Sequence, residues 1–238
     1  MRTIHRFKTV DSTMRVAAEL AAHGAPHGTV VVAEEQTAGR GRYGRPWYSE
    51  PETGLYLSLV LRPLVPSNSL PVMTLALGLA AAGAIERSSG LLCDLRWPND
   101  VLIGGRKVAG ILTELHNSVV IAGLGINVNQ QTFPEDLAPL ATSLRIAKGC
   151  AVPKETLFEA VLEAVDQHLE ILQNEGSEQI LRAFQNASTF VSGRRVVVEE
   201  GGRLLKGVTE GLTPEGFLIL RQDDGIRRLI LAGGIRPE

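Results

Sequence analysis

Gly39-Arg40-Gly41-Arg42-Tyr43-Gly44-Arg45-Pro46-Trp47 is the stretch on which the fold turns. Its first six residues satisfy G-x-G-x-x-G, the fingerprint of a dinucleotide-binding βαβ unit. In that unit the last glycine opens a helix, and an acidic residue follows about 20 positions later. Here Arg45-Pro46-Trp47 follows instead, and Arg62-Pro63 stands where the acidic residue is needed. A doubly wound dinucleotide-binding sheet is therefore set aside. What remains is a loop with three arginines, glycines that let a ligand approach the backbone, and one flat indole: an anion clamp beside an aromatic wall. Alone, the same residues would suit a solvated surface loop. The rest of the chain decides between the two.

Working outward, residues 30–34 and 55–62 read as strands flanking the loop, the first β-branched and the second aromatic-aliphatic. A helix starting at Ser12 or Thr13, both good N-cap types, runs to Gly24. Residues 63–85 carry no charge, but Pro66, Pro71 and Ser67-Asn68-Ser69 leave only 72–85 continuously apolar, too short for a bilayer. A buried helix rich in Ala and Gly is expected there. Residues 95–97, 101–103, 108–115 and 119–128 read as further strands, with Gly104-Gly105 as a hairpin turn. Leu157, Val161, Val165, Leu169 and Leu172 at helical spacing predict an amphipathic helix over 155–175, and a short helix follows at 178–184. From Gly193 the texture switches to short strands separated by Gly201-Gly202, Pro214-Glu215-Gly216 and Asp223-Asp224-Gly225. About 45 residues of meander bury little by themselves, so a small β-barrel leaning on a larger domain is expected. The division falls between 1–187 and 188–238.

The chain has 238 residues, 44% hydrophobic and 21% charged, which excludes disorder and collagen. Its 24 basic and 26 acidic side chains create no global field for a polyanion, so bulk nucleic-acid binding is disfavoured and any anion site must be local. Cys93 and Cys150 form no C-x-x-C pair, which leaves nothing for a disulfide framework or a thiolate metal site and suits a reducing compartment. The basic N-terminal residues run into Thr-Val-Asp-Ser rather than an apolar segment, so no secretory signal is expected and the protein reads as cytoplasmic, with no membrane partner. His23 and His27 are separated by Gly24 and Pro26, and His5, His116 and His168 stand alone, so no transition metal is expected.

Arg96-Trp97-Pro98-Asn99-Asp100 precedes a hairpin whose second arm opens Arg106-Lys107-Val108-Ala109-Gly110. Pro98-Asn99 would serve as a plain turn. Yet a lysine entering an apolar strand beside Gly110 is costly unless it meets an anion. Gly123-Leu124-Gly125-Ile126-Asn127 ends another strand with glycines and an amide, again suited to close approach by a ligand.

With these segments in hand, the sequence resembles a biotin protein ligase over essentially its whole length. The matching parts, in order, are Asp11-Ser12-Thr13, Glu35-Gln36-Thr37, the glycine-arginine loop with Trp47, Tyr56-Leu57-Ser58, residues 96–100, residues 106–110 and Gly125-Ile126-Asn127. The resemblance implies an α+β fold: a mixed-sheet catalytic domain related to class II aminoacyl-tRNA synthetases, followed by a small SH3-like β-barrel. It implies that biotin and ATP first give biotinyl-5′-AMP, and that a lysine of the biotin carboxyl carrier protein of acetyl-CoA carboxylase then takes the biotin. Lys107 and Arg40 are the implied catalytic cations. Ser12, Thr13, Met14, Gln36, Gly39, Arg40, Gly41, Arg42, Lys107 and Gly110 are the implied biotin contacts. Arg42, Gly44, Trp47, Arg96, Asn99, Asp100, Lys107 and Asn127 are the implied nucleotide contacts, with Asp100 near magnesium.

Two positions depart from the family pattern: Met14 stands where Asn is frequent, and Arg96 replaces the more usual Lys. They bear on substrate affinity. Because Asp11-Ser12-Thr13 comes so early, the expectation is a ligase of the type without an N-terminal DNA-binding domain, with no DNA partner and no repressor role. The resemblance also allows a homodimer formed through the exposed face of the main sheet. A lipoate or octanoate ligase or transferase is the competing enzyme, disfavoured by the arginine loop and the C-terminal barrel. A binding module without adenylation is disfavoured by Lys107, Arg40 and Asp100. The barrel could be a lid or could engage ATP or the carrier.

Overall fold

A computed structural model describes residues 2–62 and 70–238. The uncharged stretch at 63–69 lies outside the described residues. Strands β1 (Ile4–Val10), β2 (Thr29–Gln36), β3 (Leu55–Leu61), β4 (Asp94–Arg96), β5 (Asp100–Ile103), β6 (Arg106–His116) and β7 (Val119–Ile126) form one sheet in the order β1-β2-β3-β7-β6-β5-β4. The pair β1–β2 is parallel and the other pairs are antiparallel, so the sheet is mixed as expected.

Strand β3 shows why the reading of this region succeeds. All seven of its residues are buried, because helices cover both faces of the sheet, and a strand buried on both faces is a continuous apolar run. On one face lies α1 (Thr13–Ala22), which packs Met14, Ala17 and Ala21 on Val31, Val60 and Ile121. On the other lies α2 (Leu70–Ser89), apolar all round because it is sandwiched between the sheet and two helices, α4 (Lys154–Asn174) and α5 (Ser177–Asn186). By length and composition α2 could cross a membrane, yet 61% of its apolar window is buried inside the protein. It is longer than the 72–85 expected, since Pro71 sits in its first turn, where a missing N–H costs nothing.

Strand β1 was not foreseen. It is an edge strand with five of seven residues exposed, so its sequence carries no apolar alternation. The short α3 (Leu144–Lys148) also escaped; Ser143 caps it by accepting from the Ile146 N–H.

The C-terminal strands β8 (Ser192–Glu200), β9 (Arg203–Leu212), β10 (Leu218–Arg221), β11 (Arg227–Ile230) and β12 (Gly234–Pro237) form a second, wholly antiparallel sheet in the order β11-β10-β9-β8-β12. Only β12, four residues with Gly and Pro at its ends, lacked a strand signature. The two sheets share one apolar core: Val196, Val198, Leu220 and Ile235 join the same cluster as Phe184 of α5, Leu95 of β4 and Trp97 in the turn after it. The buried Trp97 indole N–H donates to the Gly216 carbonyl at 3.0 Å across this junction.

Trp97→Phe keeps most of the packing but orphans that carbonyl. The expected loss is about 1–3 kcal/mol, read as a lower midpoint in urea unfolding with an unchanged slope.

Candidate active site

A cavity of about 370 Å³ opens where the start of α1, the ends of β2, β6 and β7, and the loop 39–47 meet the turn of Gly233-Gly234 from the small sheet. The loop is a tight hairpin. Gly41 N–H donates to the Arg45 carbonyl at 2.7 Å, Trp47 N–H donates to the Gly39 carbonyl at 2.9 Å, and Arg40 bridges Pro46. Its tip turns through left-handed backbone at Tyr43 and Gly44, with φ of 59° and 69°. This geometry lays the Trp47 indole against two strands. A Cβ at Gly125 would fall 2.5 Å from the indole, and one at Gly110 would fall 3.0 Å from it. The glycines of β6 and β7 therefore make a slot for an aromatic ring.

Lys107 sits over that ring, Nζ 5.2 Å from its centroid. Its backbone is fixed on both sides, N–H donating to Leu140 and carbonyl accepting from Thr142. Nζ lies 2.5 Å from Asp100 Oδ1, and Arg96 Nη2 lies 2.7 Å from Asp100 Oδ2. The anion that a lysine in this strand requires is thus supplied by the protein itself. Burial alone would raise the Asp100 pKa, but Lys107 and Arg96 together outweigh it and hold the carboxyl below its ordinary value.

The cavity wall carries Arg40, Arg42, Arg45, Arg96 and Lys107 against the single carboxylate of Asp100. Arg40 is exposed. Arg42 is partly buried, and its partners are neutral: Nη1 donates to the Gly233 carbonyl at 2.8 Å and to Asn99 Oδ1 at 3.4 Å, and Nη2 donates to the Tyr43 hydroxyl at 3.2 Å. Burial lowers its pKa, without bringing a guanidinium near neutrality at pH 7. Asn99 Nδ2 donates to the Ile111 carbonyl and Asn127 Nδ2 to the Thr142 carbonyl, so both amides brace the wall they line.

The other end of the cavity is a polar relay beside an apolar floor. Thr13 donates from its backbone N–H at 2.9 Å and from its hydroxyl at 3.1 Å to Gln36 Oε1, its hydroxyl lies 2.8 Å from that of Ser58, and Gln36 Nε2 donates to Ser49. Ser12 occupies the N-cap position of α1, but its hydroxyl makes no capping bond. Met14 closes the floor, its sulfur 2.8 Å from where a Cβ on Gly123 would stand.

The fold thus brings Ser12, Thr13, Met14, Gln36, Arg40, Gly41, Arg42, Trp47, Arg96, Asn99, Asp100, Lys107, Gly110 and Asn127 to one cavity. Gly39 and Gly44 are not on its wall. Gly39 is buried behind Trp47, Gln36 and Ser49, and Gly44 forms the exposed loop tip, so both shape the hairpin instead of touching the cavity. Several contributors are absent from the expected site residues, and the signal for them differs. Ser58 had a signal, being the one small hydroxyl in an apolar strand. Gly233-Gly234 had none, because nothing local links a C-terminal turn to an arginine 191 residues away. The rim formed by Phe133, Leu137 and Leu140 had none either.

Residues 6–131 match the Biotin/lipoate A/B protein ligase family, and residues 191–235 match the Biotin protein ligase C terminal domain. The chain belongs to this ligase family. It is 36% identical to the bifunctional ligase/repressor BirA of Bacillus subtilis over 94% of this chain and 70% of that protein. It is 33% identical to the biotin--[acetyl-CoA-carboxylase] ligase of Paracoccus denitrificans over 94% of this chain and 96% of that one. Among solved structures, the biotin protein ligase of Aquifex aeolicus in complex with biotin and ATP superposes with a TM-score of 0.87 at 32% identity, covering 98% of this chain and 97% of that chain. The family match and the shared architecture extend over both sheets.

Because the Asp100 pKa is depressed on folding, its ion pairs stabilise the ligase above the unfolded value of 3.8, and that stabilisation is lost as pH falls through the lower folded value. Asp100→Asn is expected to be less stable than the parent at pH 7. The gap should narrow below pH 3.8 in urea titrations across that range.

Proposed function

We propose that this ligase activates biotin with ATP and transfers it to a lysine of a biotin carboxyl carrier protein, the carrier of acetyl-CoA carboxylase. The observation that carries the reading is the cavity wall: five cationic side chains against one carboxylate, next to a polar relay and an apolar floor. Biotin has the matching shape, an anionic carboxylate on an apolar tail ending in a ureido ring that both donates and accepts. The second sheet's match to the biotin protein ligase C-terminal domain supports biotin over lipoate or octanoate.

In the first step a biotin carboxylate oxygen attacks the α-phosphorus of ATP, and pyrophosphate leaves with the bonding pair of the broken P–O bond. Two anions must be brought together, and charge builds on the phosphoryl oxygens, so fixed cations lower the barrier. Lys107, aimed by Asp100 and by the Trp47 face, and Arg40 are the cations assigned to this task. Arg42 and Arg96 add to the field. Thr13, Gln36 and Ser12 hold the ureido ring, and Met14 and Trp47 enclose the tail. In the second step the uncharged amine of the carrier lysine attacks the acyl carbon, AMP leaves, and the amine's proton passes to solvent or to the leaving phosphate. Enclosure under the loop keeps water from the anhydride meanwhile.

Magnesium is the expected counter-ion of ATP. Asp100 already gives one oxygen to Lys107 and the other to Arg96, and among the described residues no three His, Cys, Asp or Glu side chains come together. This donor set does not fit a resident metal, so no step is derived through one. Magnesium belongs to the nucleotide substrate. The balanced charge of the chain supports a reading without bulk DNA binding.

One charge about 4 Å from the reacting phosphate at an effective dielectric near 20 contributes ~4 kcal/mol. Lys107→Ala should therefore slow biotin-dependent pyrophosphate release and carrier labelling by roughly a thousandfold. Turnover of lipoate or octanoate in place of biotin would reject the substrate. Full activity without Lys107 would reject its role.

A further inference from the structure

Two contacts tie the arginine loop to the small sheet: Arg42 to the Gly233 carbonyl, 191 residues on, and Arg45 to Glu199, 154 residues on. Gly233 and Glu199 form one packed unit. Strand β12 pairs Gly234 with Glu199, and a Cβ on Gly233, whose φ is 140°, would stand 2.4 Å from the Glu199 carbonyl oxygen. The chemistry of the two contacts differs in a way that fits their places. Arg42 is partly buried and faces the cavity, and its closest partner is a neutral carbonyl at 2.8 Å. A carbonyl fixes the direction of a guanidinium and leaves its charge for an incoming anion, whereas a carboxylate would neutralise it. Arg45 is the more exposed of the two, and it takes the carboxylate, Nη2 to Glu199 Oε2 at 3.3 Å.

We propose that Gly233 and Glu199 are positioning residues that clamp loop 39–47 from the small sheet, so that Arg42 meets the anionic substrate already oriented. The clamp itself rests on these contacts. That the anion is the phosphate of ATP rests on the ligase reading given above.

The loop carries its own reporter, since trypsin cuts after Arg40 and Arg42, while the Arg45–Pro46 bond resists it. Replacing Arg45 therefore removes no cut. In the full chain, Glu199→Arg should speed cleavage in the loop and raise KM for ATP by about threefold, with kcat changed by less than about twofold, as befits an exposed ion pair; Arg45→Glu should speed cleavage likewise, and it is read by proteolysis alone because Arg45 also lines the cavity. Glu199→Gln, which removes the charge without reversing it, should give about twofold. The charge-swapped double variant should return the cleavage rate to near the parent value. Gly233→Ala, which forces the carbonyl away, should raise KM for ATP by about tenfold. Parent-like cleavage in the single variants with parent-like KM in Glu199→Arg, or a swap no better than the singles, would overturn the clamp. A parent protein that releases no pyrophosphate with biotin would overturn the ligase reading, while proteolysis still decides the clamp.

Discussion

The site is organised by one carboxylate. Asp100 stands between Lys107 and Arg96, and without it two cations would face each other across a wall that excludes much of the solvent. With it, each cation has a fixed direction, and the trio keeps a net positive charge. Asp100 and Lys107 lie on adjacent strands of one hairpin, so the pair is set by sheet register rather than by flexible side-chain reach. Everything else at the site is arranged around that fixed point: the indole under the lysine, the arginine loop above it, and the relay of Thr13, Gln36 and Ser58 at the far end.

The second constraint is the shared core. Apolar residues of both sheets form a single cluster, and Trp97, next to the site's own Arg96, bonds across the junction. The small sheet is therefore held at a defined place relative to the cavity, and its Gly233 carbonyl can take part in the wall.

How far this could be read from sequence differs by residue. Helix α4 and strand β3 were legible because their burial is periodic or complete, and burial is what an apolar pattern records. Strand β1 was not, because an edge strand has little to bury. Lys107 could be flagged as needing an anion, since a cation among apolar neighbours is costly, but the identity of the partner depended on strand register. Gly110 and Gly125 could be flagged as places of close approach, though not as a slot for Trp47. Gly233 was invisible, because a backbone carbonyl leaves no mark on residue type.

The seat of Trp47 on Gly110 and Gly125 gives the cavity an uncommon property. The sheet contributes bare backbone at that place, and the wall standing on it belongs to the loop. A pocket bounded this way has no fixed depth of its own. Displacing the loop removes a side of the container and opens its mouth in the same movement, so shape and access are one variable. Entry to the cavity and retention of the reactive intermediate are then governed by a single hairpin.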